Sequence, residues 1–130
     1  MPSGRRLPTV DVLQAYVDDL VVADWFARRW GPRSFEVRPG YGHRRATADR
    51  QGVLQMPRWS RSELVVLHEV AHCLTAEQYA AHGPEYAGVF LALVRRRLDP
   101  LAAQVLEDAF GRHRVRWNTL AVPRPSMILP

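Results

Sequence analysis

An α+β fold is predicted by three features of the sequence. Four separate segments place apolar residues at alternating three- and four-residue steps, the pattern of helices that bury one face. Between residues 34 and 57, short extended stretches are punctuated by Pro39-Gly40, Asp49-Arg50-Gln51 and Pro57, which suits a small sheet. The chain has 130 residues, enough for one domain. At 47% hydrophobic and 24% charged it can bury a core, which excludes disordered and collagen-like classes.

The first helix is expected over residues 9–30, with Val10, Leu13, Val17, Leu20, Val21 and Trp25 on its apolar face, Thr9 as N-cap and Gly31-Pro32 as the stop. Extended pieces follow at residues 34–38, 44–48 and 52–56 and predict a small antiparallel sheet, with the last strand at its edge because Pro57 follows it. Ser60-Arg61-Ser62-Glu63 has the capping-box form before the apolar run 64–67, so a second helix is expected from about Arg61 to Tyr79. Gly83-Pro84 breaks the chain and opens a third helix to about Leu98, with Tyr86, Val89, Phe90, Leu93 and Val94 inside. Asp99-Pro100 opens a fourth, ending at Gly111. Residues 118–130 carry Pro123, Pro125 and Pro130 without periodicity and read as an irregular arm that could dock on its own domain or plug a cleft. No internal repeat is visible.

The 18 basic residues counted as Lys plus Arg are all Arg, and Asn118 and Ile128 are each the single residue of their type. Lys, Asn and Ile share AT-rich codons, so their joint depletion points to a GC-rich genome. The net charge of +5 permits a nucleic-acid partner without requiring one. Arg95-Arg96-Arg97 already has a local explanation, since cations at a helix C-terminus complement the dipole. Cys73 is the single cysteine, which excludes an internal disulfide and a cysteine-based zinc ribbon. Acidic residues from Asp11 onward interrupt any signal-peptide core, and no apolar run approaches a membrane span. A cytoplasmic protein without membrane contact is expected.

Chemistry concentrates in His68-Glu69-Val70-Ala71-His72. Residues four apart on a helix differ by about 40° in direction, so His68 and His72 project side by side and can share one metal ion. Glu69 lies about 100° round the helix, placed to act as a base on water at that metal. A catalytic zinc site needs a third protein ligand. The metzincin spacing is excluded because Thr75 and Gln78 occupy its positions. His82 is the leading candidate, Glu85 the second and Glu77 the third. With five histidines, the H-E-x-x-H string would arise by chance in roughly one such chain in a hundred, so its helical setting carries weight.

These residues, with His82-Gly83-Pro84-Glu85-Tyr86, resemble the SprT-like zincins, and in particular a family of small metallohydrolases of high-GC bacteria. The resemblance covers about residues 58–98. It implies a minimal zincin fold, zinc held by His68, His72 and His82, Glu69 as catalytic base, and hydrolysis of peptide bonds in a peptide or protein substrate. An extended substrate would lie along the sheet edge nearest the metal, expected at residues 52–56. The competing reading is a zinc-binding regulatory or interaction module with little turnover that could associate with DNA.

The remaining conspicuous residues have plainer roles. Tyr86, Tyr79 and Tyr41 could each donate to an oxyanion, though Tyr86 fits the core better. Cys73 reads as a small buried hydrophobe, His43 and His113 as solvated, and Trp25, Trp30, Trp59 and Trp117 as core or interface anchors.

Overall fold

A computed structural model of the chain describes residues 5–42 and 44–127. Among these residues the fold is α+β, with five helices and one three-stranded mixed sheet. None of the helices is long and apolar enough to cross a membrane.

The first predicted helix is two. Helix α1 spans Val10–Val22, capped by the Thr9 hydroxyl, which accepts from the Val12 amide at 3.1 Å, and α2 spans Asp24–Trp30. Ala23 between them is extended. On one continuous helix Phe26 would stand about 120° away from the Leu20 stripe. The break lets both residues be fully buried.

Strands β1 (Glu36–Pro39), β2 (Thr47–Ala48) and β3 (Val53–Met56) form a sheet in the order β1-β3-β2. β1 and β3 are parallel, with Pro39 opposite Met56, and β2 is antiparallel to β3. The antiparallel expectation is therefore corrected for one pair, and β3 is central rather than the edge. The chain turns back after β1, so the hairpin β2–β3 inserts β3 beside it. Gly40 then lies against Pro57, where a Cβ would come within 2.7 Å of the proline ring. The outer edge of β1 is covered by Gln14 of α1. Its Oε1 accepts from the Val37 amide at 2.7 Å and its Nε2 donates to the Phe35 carbonyl at 2.7 Å. The remaining edge is β2.

A 3-10 turn at Arg58–Ser60 leads into α3, Glu63–Leu74. Ser62, not Ser60, caps α3 and accepts from the Val65 amide, while the Ser60 hydroxyl donates to the Pro57 carbonyl within the turn. The N-terminal segment pairs here, with Leu7 N–H donating to the Arg61 carbonyl and Glu63 N–H to that of Arg5. Helix α3 ends at Leu74 rather than near Tyr79. Thr75 is extended, and its hydroxyl donates to the Ala71 carbonyl at 2.7 Å, taking up one of the last free acceptors.

Helices α4 (Pro84–Arg97) and α5 (Pro100–Arg112) match their expected starts, each with Pro in the first turn. The core joins Leu13, Val17 and Leu20 of α1, Leu54 and Met56 of β3, Val66, Leu67 and Val70 of α3, and Val89 and Leu93 of α4. Trp30 belongs to this core, whereas Trp59 and Trp117 are 54% and 40% exposed. Trp59 instead donates from its indole to the Arg44 carbonyl.

The irregular C-terminal segment docks on its own domain. Asn118 N–H donates to the Pro84 carbonyl and its Nδ2 to Glu85 Oε2, both at 3.0 Å, and Ser126 N–H donates to the Arg28 carbonyl at 2.7 Å. The described part of the arm therefore lies on α2 and α4 and does not plug the cleft. His43 falls outside the described residues, and His113 is exposed at the end of α5.

Candidate metal centre

His68 and His72 lie one turn apart on α3, as their spacing requires. His82 reaches them from the loop before α4. The three can each offer one ligand atom, with all three atoms within 4.8 Å of one another, and His72 Nε2 and His82 Nε2 are 2.9 Å apart. Their local backbone is unusual at one point. His82 sits at φ 58°, a left-handed conformation that costs a non-glycine residue about 1 kcal/mol or more. The sequence suggests that residues 83–84 turn the loop, but nothing in it signals the strain at His82 itself.

Helix α4 supplies the floor beneath the histidines. The Tyr86 ring stacks on His72 with centroids 4.3 Å apart and planes at 23°, and Phe90 meets His68 edge-on at 5.5 Å. The Tyr86 hydroxyl donates to the His68 carbonyl at 3.0 Å. Tyr86 is thus a buried packing residue that fixes the start of the motif, as its place on the inner face of α4 suggests. Tyr79 lines the cleft, while Tyr41 does not and is exposed.

Glu69 is only 6% exposed, with Oε2 3.8 Å from His68 Nε2. Burial pushes its pKa up to about 7, near the value at which a carboxylate can both take and return a proton at neutral pH. Burial also lowers the pKa of His68 to about 4, helped by the charges of His72 and His82, and lowers that of His72. These imidazoles therefore keep their lone pairs at neutral pH, which is the form a metal needs.

The other candidate ligands are engaged elsewhere. Glu85 accepts from Asn118, and Glu77 pairs with Arg50 across the cleft mouth. Cys73 is half-buried, and its thiol faces the Asp49 carbonyl at 3.3 Å rather than the histidines. Burial raises the thiol to about 11, with the Asp49 charge adding to it.

Compared with known proteins, the chain matches no family model, no curated protein and no solved structure.

The centre opens into a cleft of about 1150 Å³. One wall is Thr47 and Ala48 of β2 with Arg45, Arg50 and Gln51 on either side, and the other is the loop that carries Tyr79 and His82. Sequence reasoning missed the β2 residues because it placed β3 at the edge. Two of the three clustered arginines are taken up within the fold. Arg95 pairs with Glu107 at 2.7 Å, and Arg97 pairs with Asp19 at 2.9 Å and lies over the Tyr16 ring.

Proposed function

We propose that this chain is a zinc-dependent metallopeptidase with a minimal zincin arrangement. One observation carries the reading: three imidazoles converge within 4.8 Å while a buried carboxylate, Glu69, stands beside them with no counter-ion of fixed charge among the described residues. The donor set fits zinc, which takes neutral imidazole nitrogen and, in catalytic sites, three protein ligands with an open position. Held by His68, His72 and His82, the metal would supply Lewis acidity toward water and a carbonyl oxygen.

The protein residues do the rest. Glu69 takes a proton from the attacking water and returns it to the leaving amine, so the peptide C–N bond breaks without a free proton being released. Tyr86 and Phe90 hold the imidazole planes, and the hydrogen bond from Tyr86 to the His68 carbonyl keeps the first turn of the motif in register. An extended peptide adds to the open edge of β2, whose residues face the centre, and this replaces β3 as the strand that aligns the substrate. The single free thiol suits a reducing, cytoplasmic setting. The same residues that resemble the SprT-like zincins carry the proposal, and the ion pairs of Arg95 and Arg97 weigh against a basic face devoted to DNA.

Elemental analysis of the purified chain should find about one zinc per molecule, and His82→Ala should lose most of it. Glu69→Gln should keep zinc and cut peptides from a proteome-derived library at least ~100-fold more slowly. Cleavage that does not depend on Glu69, or a chain that takes up no zinc, would overturn the reading.

A further inference from the structure

A second cavity lies on a different face of α4. Gly88, Ala92, Arg95 and Arg96 recur at the spacing that lines one side of a helix, and with α2 and the C-terminal segment they enclose about 200 Å³. Its walls include three indoles, Trp25 and Trp30 from α2 and Trp117 from the C-terminal segment. Arg29 and Arg96 line the same cavity.

Among the described residues, acceptors match the donors around this cavity only in part. The indole N–H of Trp30 is buried and has no hydrogen-bond partner among the described residues, a deficit worth about 1–3 kcal/mol. Among the described residues no carboxylate pairs with Arg29 or Arg96. Arg95, which lines the same cavity, is already paired with Glu107 at 2.7 Å. Arg29 spends one N–H on the Trp25 carbonyl. Burial and the Arg96 charge together lower its pKa, so the two guanidiniums feel each other as like charges. Like charges beside an apolar cavity are unfavourable alone and become favourable when an anion lies between them.

We propose that this cavity binds a small organic anion with a flat unsaturated body, its carboxylate accepting from Arg29 and Arg96 and its ring lying against the indoles. The apolar walls select against a bare inorganic ion, since they contribute nothing to its binding. The volume lies below the ~300 Å³ at which pockets for drug-sized ligands begin, which restricts the ligand to one or two rings. The site is separate from the metal centre and does not depend on the peptidase reading. The C-terminal segment closes it, held down by Asn118.

The test uses the full chain and follows the indole N–H signals by NMR, with 2-naphthoate as probe and 2-naphthamide and inorganic phosphate as comparisons. Naphthoate should move the Trp30 and Trp117 signals saturably, and the uncharged amide should bind at least ~10-fold more weakly. Arg96→Gln should weaken naphthoate by about tenfold, and Arg112→Gln, on α5, should leave it unchanged. Ala92→Leu, which fills the cavity and keeps every charge, should abolish binding. The proposal is overturned if naphthoate does not saturate by about 5 mM, or if the amide or phosphate binds as tightly. Tighter binding of a short oligothymidylate at the same signals would overturn it in favour of a nucleic-acid site.

Discussion

Gly88 stands inside α4, where alanine would ordinarily stabilise by about 1 kcal/mol because it restricts the unfolded chain and favours the helix. Here a Cβ would come within 1.6 Å of the Asn118 carbonyl oxygen. Neither atom can swing away as a side-chain tip can, so in Gly88→Ala the segment around Asn118 must leave the helix. It then loses the Asn118 N–H bond to Pro84 and the Asn118 Nδ2 bond to the Glu85 carboxylate, about 1 and 1–2 kcal/mol respectively. Partly buried Ala121 and Val122 lose packing as well, for another ~1 kcal/mol. Set against the helical gain, the net cost is about 2–3 kcal/mol, a fall in melting temperature of roughly 6–12 °C for a domain of this size. Urea unfolding and calorimetry measure it. The decisive control is a chain ending at Arg116, in which Asn118 is gone and Gly88→Ala should change sign, stabilising by up to ~1 kcal/mol. Destabilisation of equal size in both backgrounds would refute the clash with Asn118 as the cause.

Further outcomes follow from the proposed metal centre. His82→Gly removes a ligand and the left-handed strain at φ 58° together, so zinc content should collapse while the metal-free stability stays within about 1 kcal/mol of the parent; retention of zinc would exclude His82 as a ligand. In the metal-free protein, Glu69 has a folded-state pKa of about 7, raised by burial above its usual value. The folded state therefore binds the extra proton, and stability contributed at low pH is lost as pH rises from about 4.5 to about 7. Glu69→Gln lacks that loss, so its stability relative to wild type should rise across the same window and level off above it. A fully dry carboxyl would give ~3 kcal/mol, and the open cleft reduces this to about 1–2 kcal/mol in urea titrations at pH 4 and pH 8. A constant difference across the window would refute the burial argument. Tyr86→Phe loses one hydrogen bond to the His68 carbonyl, about 1 kcal/mol of stability, and should leave turnover within about threefold; a 100-fold loss would assign the hydroxyl to the reacting oxygen instead.

What the sequence made legible was what depends on near neighbours. The pairing of His68 with His72 follows from the pitch of one helix, and the starts of α4 and α5 follow from Pro in their first turns. The order of the sheet was not legible, because a hairpin and a parallel neighbour can share the same alternation and differ only in which distant strand is met. The break at Ala23 was hidden since each half of the apolar pattern is helical, and the conflict appears only when Leu20 and Phe26 must reach one core. His82 was readable as a candidate ligand but not as a strained one. Gly88 was the missed signal: a glycine within a helix costs about 1 kcal/mol against alanine, and here the Asn118 backbone approaches too closely for a Cβ.

Helix α4 links these features because its faces have separate tasks. Tyr86 and Phe90, four apart, carry the imidazoles, Val89 and Leu93 enter the core, and Gly88 with Ala92 receives the C-terminal segment. The N-terminal turn of α4 is therefore held from two sides, by the Tyr86 hydroxyl on the His68 carbonyl and by Asn118 on Pro84 and Glu85. His82 lies two residues before that turn, so releasing Asn118 loosens the same backbone that sets the proposed third ligand. Gly88→Ala should accordingly weaken zinc retention against a competing chelator as well as stability, although it touches no ligand. A variant equally destabilised at a remote core position, such as Leu13→Ala in α1, should not weaken zinc in the folded state by the same amount. Equal loss in the two would mean that the metal centre senses global stability alone and that the C-terminal segment has no particular hold on it.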